Sequence, residues 1–424
     1  MKTSLAFLLS LIVCFSNAQR SEGCKSAAKT KYEDSLRNKW KNYSFKPISK
    51  EDALKPVFSY VEIDYVKTPA VGKEIVDSIQ LKVSEILAAQ KVGNDDFEKE
   101  FKIRDSIRSI EASKKIGNIS KLAVIKSEKK GKRWAILYED FKYDEMLAFG
   151  SGYWLSLSED DGKSWKKYYT GLTGGKNYYF KSNSKPSLWR DDSHIQIEAD
   201  IVRMTEERAH PMPPEYETVK NNALVVLDLN DILKDSDKDG LTDIEEKNLL
   251  LNPLSKDTDG DGISDAEDNN PRFASATNDL VKLYEGIMFG ENAKSEGAYP
   301  GEDVVIDLIN PIKADERTKM IQENSTYDFD LFNTTELLVT SDRNLQSINP
   351  KKSKIIILTP KEFEDYQKQY HSELEKLNYS PLFKCDKDPS SFILQKSASY
   401  SGDTYKVQRT KTGWKIITIS SWIS

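Results

Sequence analysis

Between residues 235 and 268 the chain writes one twelve-position pattern twice, and nothing else in it limits the fold as sharply. Residues 235–246 read Asp-Ser-Asp-Lys-Asp-Gly-Leu-Thr-Asp-Ile-Glu-Glu, and residues 257–268 read Asp-Thr-Asp-Gly-Asp-Gly-Ile-Ser-Asp-Ala-Glu-Asp. Both have Asp at positions 1, 3, 5 and 9, Gly at 6 and an acid at 12. Six carboxylates in twelve residues repel one another, so a folded loop of this kind calls for a cation. Ca²⁺ takes about six to eight oxygens at ~2.3–2.6 Å, and alternate Asp side chains on a tight turn can converge on one such ion. Gly240 and Gly262 let the backbone curl. The expected ligands are Asp235, Asp237, Asp239, the Leu241 carbonyl, Asp243 and Glu246 in the first loop. In the second they are Asp257, Asp259, Asp261, the Ile263 carbonyl, Asp265 and Asp268. Mg²⁺ demands a smaller and stricter octahedron, which favours Ca²⁺ as the cofactor.

A helix–loop–helix EF-hand places its buried apolar residue at position 8, where this chain has Thr242 and Ser264; the apolar residues stand at 7. Only residues 247–256 join the loops, too few for two helices, and Asn269-Asn270-Pro271 stops any helix leaving the second. Residues 235–271 instead resemble the thrombospondin type 3 repeat of secreted bacterial proteins, Asp-x-Asp-x-Asp-Gly-Leu/Ile-x-Asp-x-x-acid with an Asn-Pro spacer. The resemblance implies calcium-filled loops wrapped against each other with little regular structure, serving as a rigid spacer. Lys238 at position 4 lowers the charge of the first loop and marks it as the weaker site.

The loops also explain the overall charge. Residues 235–268 hold 12 acids and three lysines, net -9, whereas the whole chain is -6, so the remainder is slightly basic. A near-neutral body argues against bulk-charge binding of nucleic acid. At 38% hydrophobic and 10% aromatic the chain can bury several cores, and no segment after the N-terminus is apolar enough for a membrane span. Residues 1–18 read as a signal peptide: Lys2, an apolar run from Leu5 to Phe15, then Ser16-Asn17-Ala18 before a cut near Ala18. The mature chain is expected to be exported, to the periplasm, cell surface or medium. Cys24 and Cys385 then remain, either bridged or as two unpaired thiols.

Periodicity divides the rest. Residues 19–118 are expected to be mainly helical, with Val76, Ile79, Val83, Ile86 and Leu87 at helical spacing and Phe97, Phe101, Ile107 and Ile110 more loosely so. Residues 119–230 shift towards period two, in runs such as Arg133–Glu139, Tyr153–Ser158, Asn177–Lys181, His194–Met204 and Ala223–Leu229. Residues 231–271 are the acidic loop segment and 272–424 a C-terminal α+β domain. In that domain a strand at Lys354–Leu358 leads into Thr359-Pro360-Lys361-Glu362, a helix start, and a stripe of Phe363, Tyr366, Tyr370, Leu374 and Leu377. Strand-like runs follow at Ser391–Gln395, Thr404–Arg409 and Trp414–Ile419. The fold class is α+β, multidomain.

Ser158-Glu159-Asp160-Asp161-Gly162-Lys163-Ser164-Trp165 resembles the Asp-box of sialidases and other β-propellers, a folding hairpin remote from the catalytic centre in those families. One such box in about 110 residues does not supply the blades of a propeller. The nucleophile elbow, His-Glu-x-x-His, P-loop and Gly-x-Gly-x-x-Gly motifs are absent, and Arg190–His194 is expected to form a turn. The chain thus reads as a secreted calcium-binding structural or interaction protein whose loops fix the flanking domains, meeting a cell-surface protein or glycan. The alternative is a carbohydrate-active enzyme or glycan binder, built on aromatics at Tyr153, Trp154, Tyr168, Tyr169, Tyr178 and Tyr179.

Overall fold

The computed structural model describes residues 24–41, 45–70, 113–140, 152–172, 177–206, 214–296, 303–310, 336–351, 354–370, 377–398 and 401–423, with scattered positions at 102–110 and 312–319. The expected signal peptide, the 76–87 stripe, Phe97, Phe101 and Leu374 lie outside these residues. The chain is mixed α+β and mostly sheet, 39% strand and 19% helix. Among the described residues no helix is long and apolar enough to cross a membrane. The chain forms two compact units, one from residues 45–143 and 150–248, the other from residues 1–44, 144–149 and 249–424.

Helix α1 (Ala27–Lys41) belongs to the second of these units. The first opens with α2 (Lys50–Ala53), capped by the Ser49 hydroxyl, which accepts from Asp52 N–H at 2.9 Å. Strand β1 (Val61–Tyr65) follows, and its antiparallel partner β10 (Glu215–Asp228) runs from Val61 opposite Leu227 to Tyr65 opposite Ala223. With β8 (Tyr178–Phe180) and β9 (His194–Glu206) these make a four-stranded sheet ordered β1-β10-β9-β8. A ribbon of β2 (Lys115–Ile116) and β3 (Ile119–Ser120) precedes a second sheet. That sheet is a meander of β4 (Val124–Lys130), β5 (Arg133–Asp140), β6 (Gly152–Ser158) and β7 (Lys166–Tyr169). Every residue of β6 is buried, packed beside Ala135, Ile136 and Leu137 of β5. The unit ends in α3 (Leu229–Ile232) and α4 (Asp243–Leu249), the latter running to its boundary.

The period-two runs therefore fall on strands. Among its described residues the region expected to be mainly helical, 19–118, holds α1 and α2 and also β1 and β2, and the chain changes unit within it at residue 45. Val61, Ile63 and Tyr65 alternate over only five residues, and the strand that completes them lies far downstream. Ile107 is buried and Ile110 is 56% exposed, so these two do not share a buried stripe.

Among the described residues the second unit is built on one mixed sheet of nine strands. Helix α5 (Asp279–Phe289) starts at Asn278, whose side chain accepts from Leu280 and Val281 N–H, and stops at Gly290 in the left-handed region (φ 69°). Then come β11 (Ala293–Glu296), β12 (Asp303–Asp307), β13 (Glu336–Val339), α6 (Arg343–Gln346) and β14 (Ile355–Leu358). Helix α7 (Pro360–Tyr370) leads to β15 (Leu377–Tyr379), β16 (Phe383–Lys384), β17 (Ser391–Ser397), β18 (Ser401–Arg409) and β19 (Gly413–Ile423). The order is β11-β12-β19-β18-β17-β15-β13-β14, with β16 beside β17. Pairing is parallel where β13 meets β14 and β15, and antiparallel elsewhere. Val281, Leu283 and Tyr284 of α5 share a core with Leu338, Ile355, Ile357, Leu394, Val407 and Trp414.

Thr359 and Glu362 cap α7 reciprocally: Thr359 N–H donates to Glu362 Oε2 at 2.8 Å and Glu362 N–H to Thr359 Oγ1 at 3.3 Å. Phe363 and Tyr366 are buried as the stripe requires. Leu377 is not on the helix; it begins β15, because the helix ends before it. Cys24 and Cys385 are bridged, with Cα atoms 5.2 Å apart, and Tyr32 of α1 packs on Phe383 at 5.4 Å between ring centres.

Candidate metal centre

Each acidic loop is shaped by hydrogen bonds to its own backbone, and the two loops make the same ones. At position 1, Asp235 Oδ1 accepts from Lys238 N–H at 2.7 Å and Oδ2 from Gly240 N–H at 3.3 Å. Asp257 accepts likewise from Gly260 at 2.7 Å and Gly262 at 2.8 Å. The position 3 and 5 carboxylates each accept from the N–H two residues on, at 2.8–3.1 Å: Asp237 from Asp239, Asp239 from Leu241, Asp259 from Asp261 and Asp261 from Ile263. Such Asx turns leave each residue's second oxygen for another task. Positive φ falls at positions 4 and 6 of both loops, at Lys238 (66°) and Gly240 (113°), then Gly260 (79°) and Gly262 (96°).

These turns bring one carboxylate oxygen from each of Asp235, Asp237 and Asp239 within 4.8 Å of the others, and likewise from Asp257, Asp259 and Asp261. The acids at position 12 are buried, Glu246 at 0% exposure and Asp268 at 6%. In the second loop Asp259 Oδ2 and Asp268 Oδ2 are shut off from solvent and accept no hydrogen bond. Burial, with the charges of Asp261, Asp268 and Asp257, pushes the Asp259 carboxyl up to about 6. Burial and then Asp261 raise Asp268 as well. Glu245, beside the first triplet, is pushed up to about 7 by burial, with Asp239 and Asp235 adding to it. Concentrated, half-desolvated negative charge of this kind fits a hard divalent cation.

The position 9 acids, expected as ligands, tie their loop to its second residue. Asp243 accepts from Ser236 N–H and Oγ at 2.8 and 2.9 Å, and Asp265 from Thr258 N–H and Oγ1 at 2.9 and 2.6 Å. Their own N–H groups donate to Lys234 and Lys256 carbonyls, both at 2.8 Å. Position 9 thus closes the loop with the position 2 hydroxyl, and both carboxylate oxygens are engaged in doing so. A hydroxyl residue at position 2 of both loops, Ser236 and Thr258, was the available sequence signal. The Leu241 side chain at position 7 is buried, whereas Ile263 is 42% exposed.

The first loop is also less irregular than expected. It passes into α4 through a capping box in which Thr242 N–H donates to Glu245 Oε2 at 2.7 Å and Glu245 N–H to Thr242 Oγ1 at 3.3 Å. After the second loop, where Asn269-Asn270-Pro271 was expected to stop any helix, the chain makes a turn with Phe273 N–H on the Asn270 carbonyl at 3.4 Å. The first loop lies against its own unit, with Ile244 next to Gly171. The second lies against β14: Ile355 N–H donates to Asn269 carbonyl at 2.7 Å and Arg272 Nη1 to Ile357 carbonyl at 2.6 Å.

The Asp-box-like hairpin closes as its residues require. Asp160 accepts from Lys163 and Ser164 N–H and from the Ser158 and Ser164 hydroxyls, which hold its carboxyl down to about 2. Trp165 Nε1 donates to Gly162 carbonyl at 3.0 Å. The aromatics offered for glycan stacking are mostly core: Tyr153, Trp154, Tyr169 and Tyr178 are at most 6% exposed, and Tyr179 is 48% exposed. Arg190–His194 is a turn, with Arg190 N–H on His194 carbonyl and His194 Nδ1 against Asp191 at 2.9 Å.

No protein-family model, curated protein or solved structure matches this chain. The likeness to thrombospondin type 3 repeats therefore rests on residues 235–271 themselves.

Proposed function

We propose that this chain is an exported scaffold protein whose two acidic loops bind Ca²⁺ and thereby stiffen the segment where the chain passes from one compact unit to the next. The observation that carries this reading is in the second loop. Asp259 Oδ2 and Asp268 Oδ2 are buried with no donor to meet them, in a loop where three further carboxylates have already converged or closed the turn. Two unpaired carboxylate oxygens would be costly there, and a divalent cation would satisfy both. The identical bonding of the first loop supports a second ion, held by Asp235, Asp237, Asp239 and Glu246. Export is supported by the Cys24–Cys385 bridge, which persists in oxidising compartments. Extracellular calcium modules bind at ~10⁻⁴–10⁻³ M, which suits a standing structural ion.

Calorimetric titration of the full chain with CaCl₂ up to millimolar concentration should show uptake, and Ca²⁺ should raise the melting temperature more than Mg²⁺ does. Asp257→Asn with Asp259→Asn should abolish one binding event and its share of the stabilisation. Unchanged heats and melting temperature in that variant would refute the assignment.

A further inference from the structure

Lys354 stands immediately before β14 and is 4% exposed, a position in which an ammonium group is costly unless paired. It faces the second acidic loop. Its Nζ donates to the Asp265 carbonyl oxygen. The backbone around it is tied to the exit of the same loop. Ile355 N–H donates to Asn269 carbonyl, Asn269 Nδ2 to Pro350 carbonyl at 3.0 Å, and Asn270 Nδ2 to Gln346 and Ile348 carbonyls at 2.8 and 2.9 Å. Residues 257–268 themselves hold six acids and no basic residue. The first loop is arranged otherwise: its neighbouring lysine, Lys234, pairs with Asp243 at 2.9 Å and is 55% exposed.

We infer that Lys354 is a fixed counter-cation for the second loop, a positioning residue that sets how tightly the loop holds its divalent ion. Its ammonium group neutralises part of the acidic cluster when the ion is away, which keeps the loop seated on the edge of the sheet. When the ion is present the two cations repel, and binding is weaker than the carboxylates alone would give. The inference rests on the calcium reading above.

The test uses the full chain with Asp235→Asn and Asp237→Asn, so that the second loop is read alone, carrying the native lysine, Lys354→Met or Lys354→Arg. Each is titrated with CaCl₂, and release from the loaded protein is timed after mixing with a chelator. Lys354→Met should bind Ca²⁺ on the order of tenfold more tightly, release it correspondingly more slowly, and melt lower in EDTA. Lys354→Arg should match the native chain. A lysine that merely props the loop would weaken binding when removed, so equal or weaker binding by Lys354→Met overturns the inference. If Lys354→Met folds only with Ca²⁺, the release rate of the loaded protein still decides. If the lysine-bearing chain takes up no Ca²⁺ at millimolar concentration, the calcium reading fails, and the role of Lys354 with it.

Discussion

Lys238 and Gly260 occupy the same position of the two loops with φ of 66° and 79°. Glycine adopts that conformation freely, whereas a lysine is strained there. Lys238→Gly should therefore stabilise the unit of residues 45–143 and 150–248 by about 1 kcal/mol, seen as a higher urea midpoint in chelator. An unchanged midpoint would mean the strain is absorbed elsewhere. Glu139, on β5, is pushed up to about 8 by burial. A carboxyl raised in the fold favours folding fully below its unfolded value near 4.5, and that contribution is lost as pH rises through 8. The melting temperature of the first unit should fall between pH 5 and 8.5, and Glu139→Gln should flatten that fall by about 2–4 °C. Residue spacing alone revealed the convergence of positions 1, 3 and 5, because each Asp folds onto N–H groups two to five residues further along the same loop. It did not reveal that the position 9 carboxylates take up the position 2 hydroxyls, since that pairing depends on the path of the whole turn.

Among the elements, α7 was legible because its cap is local: Thr359 and Glu362 are three residues apart. The same signature at Thr242 and Glu245 announces α4 but was masked by the acidic pattern around it. Strand β14 carries a lesson about edges. It ends the sheet order, yet all four of its residues are buried, and the segment leaving the second loop covers it through Asn269 and Arg272. Arg272 also pairs with Glu362 at 2.7 Å and reaches Leu250 carbonyl at 3.2 Å. An uncovered Ile-Ile-Ile-Leu edge is a template for intermolecular pairing. Arg272→Ala should cost about 2–3 kcal/mol and lower the temperature at which heated protein scatters light, with chelator adding to the effect. No change in scattering onset would show that Arg272 is not the cover. The parallel pairing of β13 with β14 and β15 was not legible, because short apolar runs carry no sign of their neighbours.

For the whole molecule, the Cys24–Cys385 bridge closes a span of 361 residues and holds α1 to the C-terminal strands. The described contacts beside it include Tyr32 on Phe383, Glu33 with Gln395 at 3.0 Å, Ala27 N–H on Asp386 and Asp386 N–H on the Lys25 carbonyl at 2.8 Å. Cys24→Ser with Cys385→Ser should cost about 2–5 kcal/mol in the second unit and speed amide exchange across residues 27–41. Exchange as slow as in the bridged chain would show that packing alone holds the helix. Composition and patterning by themselves determined that the chain is α+β, where its sheet-rich stretch lies, and that two loops of one design interrupt it, because the bonds that shape those features are local. Only the tertiary structure decided that β1 completes a sheet with β10, that Cys24 meets Cys385, that one lysine lies buried behind the second loop, and that each loop belongs to a different unit. Those partners are chosen by which surfaces are left to be buried once the local elements have formed, and spacing along a chain does not encode that choice.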